Sequence, residues 1–94
     1  MEGTLLDVFE ISGRGVVVLI EPREGSCRIG DQLQIGDVTW PITGIEMISY
    51  NAEGMRRLAE GWKPPLGVLL GGASKAELSG LIGQEFATLN ANGL

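Results

Sequence analysis

Histidine is absent from this 94-residue chain, and cysteine occurs once, as Cys27. Without histidine there is no Cys–His or Ser–His nucleophilic pair. A single cysteine forms no intrachain disulfide, which suits a reducing compartment. The cation Arg28 beside it favours a thiolate and is the one argument for a reactive thiol. Cations are scarce, with seven Lys and Arg against twelve Asp and Glu and a net charge of −5. A broad phosphate-binding surface concentrates Lys and Arg, so this balance argues against one, though not against contact with one short nucleic-acid end. No apolar run reaches the roughly 18–20 residues of a membrane helix, and Met1-Glu2-Gly3 lacks the basic start of a signal peptide. The expectation is a cytoplasmic protein that engages no membrane. The phosphate loop G-x-x-x-x-G-K-[ST] is also missing, so no GTP binding of the usual kind is expected. A nucleophile elbow, a metal-ligand cluster and a glycine-rich phosphate cradle are missing as well. The chain therefore reads as a non-enzyme without cofactor or metal.

What is present is glycine, fifteen residues of it, punctuating short apolar runs. That pattern predicts short strands joined by turns. Leu5 to Ser12 reads as a first strand, with Phe9 as a core residue, and Gly13-Arg14-Gly15 as its turn. Val16 to Ile20 is an unbroken aliphatic run, as in a strand covered on both faces. Glu21 to Glu24 extends it, with Pro22 at an edge or bulge. Gln32 to Ile35 alternates, with Leu33 and Ile35 facing in. In the strand from Val38 to Ser49, Trp40 and Ile42 share one face; past Gly44 the apolar phase moves by one, to Ile45 and Met47. A glycine at such a shift predicts a β-bulge. Asn51 to Gly61 changes to a helical period, with a helix expected near Asn51 to Glu60. Leu66 to Leu70 and Gln84 to Leu89 read as strands, separated by a capped single helical turn at Ser74-Lys75-Ala76-Glu77. Together these predict an all-β fold: one closed antiparallel barrel of six or seven strands with a short helix, a single domain spanning 1–94 with a frayed tail at about 91–94.

The order of several short motifs is familiar. Asp7-Val8-Phe9 is followed by Ile11-Ser12-Gly13-Arg14-Gly15 and Val17-Val18. Then come Glu24-Gly25, Ile29-Gly30-Asp31, Thr43-Gly44-Ile45-Glu46-Met47 and Gly67-Val68-Leu69-Leu70. This ordered set resembles the barrel that follows the GTPase domain in elongation factor Tu, from about Leu5 to Leu89. The resemblance implies a translation-factor barrel, here standing without a GTPase domain. It implies that Glu46 matches a glutamate touching the terminal ribose of tRNA, and that Phe9 lies in the strand bordering that pocket. Arg14 matches an arginine near a domain contact. Other positions depart from the family: Leu66 replaces an asparagine, Gly71 an arginine, and Leu6 an acid. The segment from Ile48 to Pro65 is longer than its counterpart.

Two functional readings follow. One is an interaction module for a protein partner or for a second copy of the chain. It would use Met55, Leu58 and Trp62 as apolar anchors among the cations Arg56, Arg57 and Lys63. The other is a binder of a tRNA or other nucleic-acid end through Phe9, Arg14 and Glu46. Acidic charge and the altered pocket positions favour the first.

Overall fold

A computed structural model describes residues 1–46, 56 and 65–90. Among the described residues there are six strands: β1 (Glu2–Ile11), β2 (Gly15–Glu24), β3 (Gln32–Ile35), β4 (Val38–Glu46), β5 (Leu66–Leu70) and β6 (Glu85–Leu89). They are all antiparallel and close into a barrel in the order β1-β2-β5-β4-β3-β6. A short helix, α1 (Lys75–Ser79), precedes β6. The expected fold class is therefore the observed one. The helix expected near Asn51 to Glu60, and the tail at 91–94, lie outside the described residues except for Arg56, which is helical.

The β1–β2 hairpin turns where two glycines allow it. Gly13 and Gly15 both take positive φ (79° and 104°), and the Arg14 N–H donates to the Ile11 carbonyl at 3.0 Å. β1 begins earlier than its own sequence suggests, because Glu2, Gly3 and Thr4 pair with Ala87, Phe86 and Glu85 of β6. The bulge read from the phase shift in β4 is present. Ile42 opposes Leu70 but Gly44 opposes Leu69, so Thr43 is the extra residue. That extra residue lets Ile42 and Ile45 both turn inward, and both pack on the core.

The barrel is filled by Leu5, Val8, Val18, Ile20, Leu33, Ile42, Val68 and Phe86 among others, each nearly inaccessible. Leu78 of α1 and Trp40 of β4 complete this core. Ser74 caps α1, its hydroxyl accepting the Glu77 N–H at 3.1 Å. The Glu77 carboxylate then accepts the Trp40 indole N–H at 2.8 Å. A buried indole needs such a partner, and here a helix-capping sequence supplies it. No buried side-chain N or O is left unpartnered among the described residues.

Candidate functional site

Strands β1, β2, β5 and β4 lie side by side, and their registers define what faces outward. Phe9, Val17, Leu69 and Gly44 are directly opposed in one row. Two residues along, and on the same face, Asp7, Leu19, Gly67 and Glu46 form a second row. The intervening row, Val8, Val18, Val68 and Ile45, points into the core.

Phe9 is therefore not a core residue, as its aromatic character suggested. It is 46% exposed on the outer wall. The reason is a register shift between Leu5 and Asp7, which lets Leu5 and Val8 both face inward and sends Phe9 out. Beside it Val17 is only 7% exposed although it stands apart from the core cluster. The two glycines keep the β4–β5 side of this wall low. A Cβ at Gly67 would stand 3.5 Å from Val17 Cγ1 and 3.6 Å from Glu46 Cβ.

Arg14 and Glu46 meet directly as an ion pair. Arg14 rises from the β1–β2 turn and Glu46 ends β4, so the pair bridges over β5, which lies between. Phe9, Arg14 and Glu46 thus share one wall, two of them in contact. Both partners are partly exposed, with side chains 56% and 34% accessible. Water screens such a pair, so Arg14→Gln is expected to lower stability by less than about 1 kcal/mol in urea melts. A larger loss would make the bridge a structural strut. Sequence reading missed Val17, Leu19, Leu69 and Asp7. Their signal was the run Val16 to Ile20, in which every second residue of a strand covered on both faces has to face outward.

Other positions resolve differently. Cys27 is half-buried and packs on the core. Its thiol is pushed above the ordinary value, chiefly by burial and also by the Asp31 carboxylate, against an opposing effect of the terminal ammonium. The expectation from Arg28 of a favoured thiolate is reversed, since burial disfavours the charged form. Alkylation by iodoacetamide at neutral pH should accordingly be slower than for a free cysteine, and should quicken only when pH rises above the ordinary thiol range. A rate at neutral pH above that of free cysteine would contradict this. Leu66 faces inward and packs on the core, which accounts for an apolar residue there. A Cβ at Gly71 would stand 3.1 Å from Thr43 Cγ2 and 3.2 Å from Pro41 Cγ, so a long side chain there would need both neighbours to yield. Arg56 is exposed, while Met55, Arg57, Leu58, Trp62 and Lys63 lie outside the described residues.

Among the described residues no three acidic or cysteine side chains converge to hold a metal ion. No described helix is long and apolar enough to cross a membrane. The chain matches no protein-family model, and comparison with curated proteins and with solved structures found no match.

Proposed function

We propose that this barrel is a non-catalytic binding module whose outer wall, built on β1, β2, β5 and β4, docks a protein partner or a second copy of the chain. The observation that carries the reading is Phe9, a large ring left 46% exposed next to Val17 and Leu69 in a chain with few aromatics. Aromatic anchors of this kind dominate interface energetics, and the Arg14–Glu46 pair provides a polar rim.

The test is comparative capture from a lysate of the source cells, with sedimentation to read self-association. Phe9→Ala should lose the captured set or the self-association. Ile82→Ala, which also truncates an exposed apolar side chain, should keep both. Arg56→Glu with Arg57→Glu in the same series reports on the segment carrying Met55, Leu58, Trp62 and Lys63. Loss in that variant alone would move the interface there and defeat the wall reading.

The second reading, a binder of a tRNA or other nucleic-acid end, gains support from Phe9 and Glu46 sharing one face. Against it stand the net charge of −5 and the exposed Asp7 in the same row. Titration with a short RNA ending in CCA separates the two. Binding abolished by Glu46→Ala would favour the nucleic-acid end.

A further inference from the structure

We infer that the outer wall takes a patch of a different protein in which apolar side chains are flanked by Lys or Arg, and not the wall of a second copy. The inference rests on the reading of this wall as a docking surface and specifies the chemistry of its occupant.

The apolar part of the wall is continuous across the sheet. Side chains two apart on a strand share a face, so β2 points Val17, Leu19 and Glu21 outward in turn. Val17 stands between Phe9 and Leu69. Leu19 lies beside it in the next row, between Asp7 and Gly67. Glu21 opposes Thr4 in a third row. Phe9 is exposed, while Leu19 and Leu69 are half-buried. Contiguous apolar surface of this kind gains free energy when a partner covers it.

The charges around this surface decide between occupants. Asp7, Glu21 and Glu46 lie in the second and third rows, all on the same side of Phe9, Val17 and Leu69. From the opposite end Arg14 rises out of its turn, and its guanidinium is bound to Glu46. Farther along β2, Arg23 is held by Glu85 at 2.9 Å. Among the described residues no ion pair neutralises Asp7 or Glu21. Three carboxylates against one guanidinium leave the wall acidic. Two copies related by a two-fold axis would set this wall against itself and bring like charges together, on chains that each carry −5. Wall-to-wall pairing is therefore opposed by the same residues that border the apolar centre. A partner that places apolar side chains over Phe9, Val17 and Leu69, and Lys or Arg over Asp7 and Glu21, satisfies both parts of the surface. The carboxylates would speed its approach and fix its orientation.

The probe is a synthetic amphipathic peptide of about 14 residues, with leucine on one face and lysine flanking it, titrated into ¹⁵N-labelled protein at low salt. Shift changes are expected at Phe9, Val17, Leu19 and Leu69. Raising the salt to about 0.5 M should weaken binding by about tenfold, because it screens exposed charges. Asp7→Asn with Glu21→Gln should weaken it similarly. Asparagine keeps a side-chain oxygen to accept the Val8 N–H, as Asp7 Oδ1 does at 2.8 Å, so the fold should persist by circular dichroism. Glu24→Gln with Asp37→Asn removes two exposed charges outside these rows and should have little effect. The counterpart peptide with glutamate in place of lysine should not bind. No shift change at about 1 mM lysine peptide would overturn the inference. So would changes mapping off the wall, equal losses from the two double variants, or equal binding by the glutamate peptide. Sedimentation separates this failure from failure of the wall reading. The wild type should run as a monomer at about 0.1 mM. A wild-type dimer that Phe9→Ala dissociates would make a second copy the occupant, overturning the inference while the wall remains an interface.

Discussion

Trp40→Ala is expected to remove about 3–5 kcal/mol from a barrel whose whole stability is of the order of 5–15 kcal/mol. Trp40 is 4% exposed and belongs to the core, so truncation deletes a large apolar volume that the closed ring cannot fill by collapsing. The same change frees Glu77 from its 2.8 Å bond and unties α1 from β4. Trp40→Phe separates the two contributions. It keeps most of the ring volume and removes only the N–H, and is expected to cost about 1 kcal/mol. Urea denaturation followed by circular dichroism reads both. If Trp40→Ala costs less than about 1 kcal/mol, the indole is not part of a tightly packed core. If the two variants cost the same, the hydrogen bond and not the packing holds the helix.

Gly3→Ala is expected to cost about 3 kcal/mol or more. Gly3 stands where β1 is tied to both neighbours at once, opposite Pro22 of β2 and Phe86 of β6. A Cβ there would overlap the Glu21 carbonyl oxygen and stand 2.8 Å from Phe86 Cε1. The side chain of Phe86 can yield, but the backbone of β2 moves only if the ladder moves with it. The comparator is Gly80→Ala at the end of α1. No atom lies within 4 Å of an added Cβ there, and φ is −73°, so its effect should stay within about 0.5 kcal/mol. Thermal melts of the two variants check the contrast. Equal effects would mean that the β1–β2 approach is looser than described.

Local pattern was enough to find most of the barrel. Leu33 and Ile35 alternate inward as their sequence spacing requires, and the glycine-marked phase shift in β4 corresponds to a bulge at Thr43. Ser74 and Glu77 announced the helix cap by their spacing. What stayed hidden depends on residues far apart in the chain. The early start of β1 is dictated by β6, and the outward turn of Phe9 by a register shift against β2. Hydrophobicity alone assigned Phe9 to the interior, because an aromatic ring does not reveal which side of a bulged strand it takes. The meeting of Arg14 with Glu46 needed the strand order, which places β5 between their strands and brings sequence-distant residues within reach of one long side chain. The second role of Glu77, accepting from Trp40, was equally illegible, since nothing local to Ser74–Glu77 refers to β4.

Ring closure also sets how the chain reaches this state. The hairpins β1–β2 and β3–β4 join strands separated by short turns and can form on their own. The seams that close the ring cannot. β2 with β5 opposes Val16 to Leu70, and Met1 is bonded to Thr88, 87 residues away. Those seams can form only after long loops have been brought together, before much burial compensates for the lost freedom. A domain dominated by such distant pairings belongs among the slow folders, with refolding on the order of milliseconds to seconds. Until the ring closes, the strands on either side of its gap present unpaired edges to solvent, so folding chains of this protein are most vulnerable to association during the search for that closure.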